Sequence, residues 1–338
     1  MSAPYAKTVM TSNGKSPVRR AGNKPGGPSP VLLASLGAAC ISASAVLIKL
    51  ADTGAATAAF YRCLLALPLL AVLAALEQRR RGPRPWRARL GPVLAGVFLA
   101  VDLVLWNHAI AEVGAGVATV LGNLQVLFVA FAAWALFGER PERRFLIFLP
   151  VVMVGVVLVS GMVGGDGGGT HPMAGVAYGL GTSVAYAVFL LILRRSSAST
   201  PHVAGPLSEV TTGAALGALL LGLVFGGLQL RIGWPSFGWL LLLALLSQTL
   251  GWLIITSSLP RLSAAIASLI LLLQPAAAML LAYLVLAERP TLIQIAGAVV
   301  VCTGVLAISL ATSQQRPRAP RAEAPALPRN PVAAADRG

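Results

Sequence analysis

The sequence predicts an all-α polytopic membrane protein of ten transmembrane helices, built as two inverted five-helix repeats. Three observations carry this. Of 338 residues, 57% are hydrophobic and only 11% are charged, against about a quarter charged in a typical soluble domain. Ten apolar runs each approach the roughly 20 residues that a helix needs to cross ~30 Å of hydrocarbon. The second half of the chain also falls on the first in a fixed register.

In chain order, the runs cover about 31–50, 55–77, 90–111, 115–137, 144–162, 173–194, 204–226, 236–257, 264–286 and 291–311. Loop chemistry separates them: Arg79-Arg80-Arg81-Gly82-Pro83, Glu139-Arg140-Pro141, the glycine-rich stretch 164–169 and Arg289-Pro290. The least marked break lies between Glu112 and Gly116. Strands are disfavoured, because the runs are twice the length of a barrel strand and lack two-residue alternation. Residues 1–30 are rich in Gly, Pro, Ser, Lys and Arg, and 312–338 in Pro, Arg and Ala. Such composition cannot offset its own ordering entropy, so both tails are expected to be disordered. The expected organisation is a cytoplasmic tail (1–30), a first repeat (31–162, spans 1–5), a glycine-rich outer linker (163–172), a second repeat (173–311, spans 6–10) and a cytoplasmic tail (312–338). The first span does not resemble a cleavable signal.

Mean hydropathy is +0.80, and 26 Lys+Arg against 11 Asp+Glu give a net charge of +15. That balance would suggest nucleic acid in a soluble protein. Here the basic residues lie between apolar runs and in the tails, without interleaved stacking aromatics, so the partner is a lipid bilayer and no nucleic acid. With both termini in the cytoplasm, all but Lys49, Arg62, Arg231 and Arg289 of the 26 Lys+Arg fall on the inner side, a strong positive-inside signal. The expected location is the cell membrane, multi-pass. Cys40, Cys63 and Cys302 sit inside apolar runs without metal-ligand spacing, so neither a disulfide framework nor a metal site is expected.

A shift of 149 residues places Gln125 on Gln274, Glu139-Arg140-Pro141 on Glu288-Arg289-Pro290, Gly155-Val156 on Gly304-Val305 and Ser160 on Ser309. This reads as a duplication. Each copy holds five spans, an odd number, so the copies enter the membrane from opposite sides. That is the pattern of alternating-access transporters, with substrate bound near mid-membrane between the halves.

These residues, with Phe60-Tyr61-Arg62, resemble the EamA family of the drug/metabolite transporter superfamily over roughly 31–311. The resemblance implies a ten-helix exporter or permease for small metabolites without a prosthetic cofactor. One position departs: the family often has proline in the middle of each fourth span, whereas this chain keeps Pro275 but has Val126 at the matching place. Substrate does not carry over, since the family handles amino acids, other metabolites and drugs.

Ionisable groups inside spans cost roughly 2.5–3.5 kcal/mol each on insertion scales, so each needs a reason. Arg62 and Asp102 lie at similar depth. They form either a buried ion pair or a charged lining for a substrate or proton path. Glu209, near the cytoplasmic side, has Arg194, Arg195 and Arg261 as candidate partners. His108 and Glu112 lie near the outer end of span three, where His108 is a candidate gate or pH sensor. Lys49 can snorkel to the outer surface. Gln125 and Gln274 lie near the bilayer centre and are expected to face each other across a central crevice. Trp106, Tyr186, Gln248 and Trp252 are candidates to complete a polar–aromatic pocket. For these residues interhelical hydrogen bonding or packing is the competing reading.

The functional expectation is a secondary transporter, outward-directed, for a small polar or amphipathic metabolite such as an amino acid, working as a monomer or homodimer. Asp102 and Glu209 are candidate proton carriers; exchange or facilitation fits equally well. A flippase for a lipid or lipid-linked carrier is the alternative. A membrane-embedded transferase fits less, since no carboxylate or histidine cluster stands at an interface. The chain carries no Gly-x-x-x-x-Gly-Lys-Ser/Thr loop, which excludes an ATP-driven pump from this chain alone.

Overall fold

The computed structural model describes residues 29–137, 143–159, 171–197, 200–258, 261–262 and 264–314. The two tails, most of the glycine-rich linker and the first Glu-Arg-Pro copy lie outside the described residues. Those described are helices joined by short connections, without strands. In order they form α1 (Pro30–Ala51), α2 (Ala55–Arg81), α3 (Arg87–Val113), α4 (Ala115–Gly122), α5 (Gln125–Phe137), α6 (Arg143–Val159), α7 (Pro172–Ser197) and α8 (Ala204–Val224). A rod follows of α9 (Ser236–Leu243), a π-helical segment (Ala244–Gly251) and α10 (Trp252–Ser258), then α11 (Ala264–Leu286) and α12 (Leu292–Gln314).

Helix ends follow local chemistry. Ser29 caps α1, its side chain accepting the Leu32 N–H at 3.1 Å, and Pro30 occupies the first turn where its missing N–H costs nothing. The faint break after Glu112 is a sharp one: Gly114 stops α3 at φ 85°, a conformation open to glycine at little cost. A Cβ there would also come within 3.0 Å of Glu288 Oε2. The fourth span is not one helix as expected. It stops at Gly122, turns through Asn123 and Leu124 on tightened bonds to Val120 O (3.1 Å) and Leu121 O (3.0 Å), and restarts at Gln125. Ser183 on α7 donates to the same Leu121 O at 2.9 Å, a second bond that braces the break.

Six helical stretches are long and apolar enough to cross a membrane: α1, α2, α3, Pro172–Leu193, Ala204–Phe225 and the rod Ser236–Ser258. Shorter apolar stretches are Ala115–Val129, Ile147–Val159, Leu273–Leu286 and Leu292–Gly304. The described helices therefore give six membrane-length stretches in place of the ten expected full spans.

Packing sets the directions. α3 packs on α7 and α8, α2 on α8, α1 on the rod and α11, and α6 on α12. Bare glycine faces allow the close approaches, as is common between membrane helices. Gly213 meets the Val93 carbonyl and Gly217, one turn on, meets Ala100 and Val97, so α3 and α8 run parallel. Gly37 meets Ile255 and Gly251 meets Ile41, so α1 and the rod run antiparallel. One end of the bundle then gathers the start of α1, the α2–α3 connection with its arginines, the end of α7 and the start of α8. It is called the basic end below.

Across α6 and α12, a Cβ on Gly155 would come within 2.9 Å of Val301 Cγ2, and one on Gly304 within 2.5 Å of Val152 Cγ2. Gly297 meets Val159 further along. The paired numbers rise on one helix as they fall on the other, so the helices are antiparallel. Residues 152 and 155 become 301 and 304 in the 149-residue register, so the first contact is the mirror of the second.

Candidate functional site

Three helices carry charge or amide chemistry into the middle of the bundle. Arg62 on α2 is 3% exposed and Asp102 on α3 is 7% exposed. The ion pair expected from their depth is not formed: no guanidinium–carboxylate contact within 4 Å joins them among the described residues. Arg62 Nε instead donates to Gln248 Oε1 at 3.1 Å, and Nη2 reaches Ser247 Oγ at 3.5 Å. Gln248 Nε2 donates onward to Thr211 Oγ1 on α8 at 3.3 Å. Asp102 is held separately, its Oδ1 accepting from Thr182 Oγ1 on α7 at 3.1 Å; the same hydroxyl lies 2.7 Å from the Asp102 carbonyl. The physical reason for the separation is helix rotation: α2 turns its Arg62 face to the rod, and α3 turns Asp102 to α7.

Ser247 and Gln248 lie in the π-helical segment, whose wider turn departs from the α register. Such segments are rare and are frequent at functional sites. One turn further on, Trp252 joins Tyr186 (ring centroids 6.4 Å apart) and Phe189 (6.1 Å), which pack edge to face on each other at 5.1 Å. Of the expected pocket, Gln248, Trp252 and Tyr186 are therefore brought together. Trp106 is not among them; it packs half-buried against the core built by α1, α3, α4 and α6.

Two cavities approach this layer. One of about 150 Å³ opens between α3, α7, α8 and the rod, lined by Leu99, Phe189, Val210, Gln248 and Trp252, and extends to His202 and Pro206 near the basic end. The other, about 660 Å³, lies toward the opposite end, lined by Val101, Leu105, His108, Tyr178 and the Gly226-Gly227 turn. On α3, Asp102 lies between Leu99 of the first and Leu105 of the second. His108 is exposed and stacks on Tyr178, with ring centroids 5.0 Å apart.

Gln125 is half-buried at the first residue of α5, just past the helix break, and Gln274 is half-buried beside Pro275 in α11. No side-chain hydrogen bond joins them among the described residues. Glu209 pairs with Arg84 at 2.5 Å and Arg89 at 3.8 Å, and not with the expected Arg195 or Arg261; the side chain of Arg194 lies outside the described residues. The α2–α3 hairpin folds Arg84 back into the bundle, where it is buried, and so brings it onto α8. Beside it Glu77 takes the N–H groups of Val203 (2.8 Å) and Gly205 (2.9 Å), closing the start of α8.

Sequence reasoning missed Thr182, Ser183, Thr211 and Ser247, small hydroxyls that carry no signal amid apolar residues. It also missed the reach of Glu288. Both its oxygens lie 3.2 Å from the Ala115 N–H at the start of α4, and Lys49 Nζ stands 3.6 Å from Oε1. Lys49 is therefore paired rather than free at the surface. The repeated Glu-Arg-Pro was the available clue. No group of three His, Cys, Asp or Glu side chains among the described residues is placed to hold a metal.

No curated protein gives a significant match to the chain. A solved protein crystal structure superposes with a TM-score of 0.56 at 16% identity, covering 83% of this chain and 98% of the other, a likeness of fold alone. The model of the EamA-like transporter family matches twice, over residues 28–161 and 173–310. The two matches divide the chain where the 149-residue register does. Together they span most of its length, and the chain belongs to the EamA-like transporter family.

Proposed function

We propose that this chain is a secondary transporter that moves a small polar or amphipathic metabolite, such as an amino acid, across the cytoplasmic membrane by alternating access, with export as its direction. Its ten helical rods are the ten spans of two inverted repeats, both termini are cytoplasmic and the basic end faces the cytoplasm. It is not an enzyme and uses no prosthetic cofactor.

The observation that supports this best is the unpaired charge in the middle of the bundle. A guanidinium and a carboxylate are both buried there, and among the described residues they form no ion pair with each other. A permanently closed structural pair would neutralise itself. Opposite charges held apart on neighbouring helices suit a ligand bearing both an acidic and a basic or hydrogen-bonding group. Arg62 would hold its anionic group, Asp102 its cationic group or a coupled proton, and Trp252, Tyr186 and Phe189 its apolar part. Gln125 and Gln274 remain candidates for the same crevice.

The test is a flux screen of amino acids and related metabolites in sealed proteoliposomes, with and without a proton gradient. A substrate whose flux falls about tenfold in Arg62→Gln and Asp102→Asn, or ~1.4 kcal/mol in transition-state terms, with normal insertion, supports the site. Wild-type flux in both variants removes these residues from the transport path.

A further inference from the structure

The α2–α3 hairpin holds six arginines, and the structure divides them into two sets. Arg81, Arg84 and Arg89 are committed internally, to Glu77 and Glu209. Arg79, Arg80 and Arg87 are exposed, and none has a carboxylate within 4 Å among the described residues.

The free arginines crown two stripes of exposed apolar side chains. On α2 the stripe runs Leu69, Val72, Leu76, at helical spacings of three and four, and the next steps of the same face are Arg79 and Arg80. On α3 it runs Trp86, Leu90, Leu94, Val97, with the Arg87 guanidinium 5.5 Å from the Trp86 ring centroid. Trp86 is 66% exposed at the very start of this stripe, the depth at which indoles favour the headgroup region. The two stripes are neighbours, since the hairpin joins them.

We infer that the α2–α3 hairpin is a binding site for an anionic phospholipid, with Arg79, Arg80 and Arg87 holding the phosphate and the Leu69–Leu76 and Leu90–Val97 stripes taking the acyl chains. Three guanidiniums without internal counter-charges are complementary to a phosphodiester and give a zwitterionic lipid no matching advantage. The stripes ask for a ligand whose anionic group is attached to two long apolar chains, which a soluble phosphate does not offer.

The full chain is reconstituted in bilayers of equal phosphatidylglycerol and phosphatidylethanolamine, extracted in mild detergent, and its retained lipids are counted by native mass spectrometry. Wild type retains phosphatidylglycerol preferentially, and Arg79→Gln/Arg80→Gln/Arg87→Gln lowers the retained ratio by tenfold or more, at about fivefold per basic residue as an upper scale. Arg231→Gln/Arg289→Gln, which removes two exposed arginines from the other end, leaves the ratio unchanged. Excess glycerol phosphate does not displace the lipid. Equal ratios in wild type and the triple variant overturn the site, as does an equal fall in the control. Displacement by glycerol phosphate would reduce it to a free-anion site and overturn the lipid assignment. Should the triple variant not fold, the three single substitutions decide, each lowering the ratio about two- to fivefold, and three unchanged ratios overturn the inference. Flux does not enter this readout, so its outcome is independent of the transport reading.

Discussion

Arg62 on α2 directs its Nε–H to Gln248 Oε1, 3.1 Å away in the π-helical segment, and leaves Asp102 to the hydroxyl of Thr182. A buried arginine held by neutral acceptors alone keeps a net charge at the bundle centre. Removing the carboxylate breaks its bond to Thr182 but no contact with Arg62, and removing the guanidinium breaks contacts with the rod instead.

The first prediction follows from that separation. In a double-mutant cycle on detergent-solubilised protein, the unfolding losses of Arg62→Gln and Asp102→Asn add to within about 0.5 kcal/mol, as expected for residues with no shared partner. A recovery of several kcal/mol in the double variant, the signature of a directly coupled buried pair, would show that the two charges do meet.

The second prediction concerns the antiparallel contact of α6 and α12. Gly155 lies against Val301 and Gly304 against Val152 at hypothetical Cβ distances of 2.9 and 2.5 Å. Neither site has room for a larger side chain, and they are equivalent in the 149-residue register. Gly155→Val and Gly304→Val should each destabilise by about 1–3 kcal/mol through overpacking. Melting of each variant in detergent measures this. A large loss in one and none in the other would mean that the two halves do not pack as copies.

How much of this was legible beforehand can be argued from these residues. Helix positions, the stop at Gly114 and the directions of the rods follow from apolar run length and from Gly and Pro placement. The depth of Arg62 and Asp102 follows from 1.5 Å of rise per residue. Rotation about the helix axis does not follow. A membrane helix is apolar on both its lipid and protein faces, so no amphipathic stripe shows which way α2 turns Arg62, and Gln248 was not distinguishable from Asp102 as its partner. The break at Asn123-Leu124 was also hidden, because no proline marks it and the serine that braces it stands on another helix. Arg84 reaches Glu209 only because the hairpin folds inward, a tertiary fact that loop composition does not report.

The third prediction tests the joint at the end opposite the arginine hairpin. Glu288 closes the start of α4 through the Ala115 N–H and lies 3.6 Å from Lys49. Glu288→Ala removes the cap and should cost about 1 kcal/mol, in the range of N-cap losses. Lys49→Ala removes only a half-exposed ion pair and should cost well under 1 kcal/mol. Thermal unfolding of both variants checks the order, and a larger loss for Lys49→Ala would make the ion pair, not the cap, the dominant contact.

The last prediction is topological. The parallel run of α3 and α8, with the antiparallel run of α1 against the rod, places the α2–α3 hairpin and the end of α7 together at one end of the bundle. The turn after α8 and the Glu288-Arg289 corner lie at the other. Basic residues concentrate at the first end, and the cytoplasmic side retains them because translocating them against the membrane potential is costly. In a background freed of Cys40, Cys63 and Cys302, Arg80→Cys and Arg195→Cys should react with a membrane-impermeant maleimide only after cells are opened. Arg231→Cys and Arg289→Cys should react in intact cells. All four side chains are exposed in the fold, so accessibility reports the membrane side rather than burial. Labelling of all four from one side would end the ten-span arrangement, and an exact reversal would keep the fold but turn it over in the membrane.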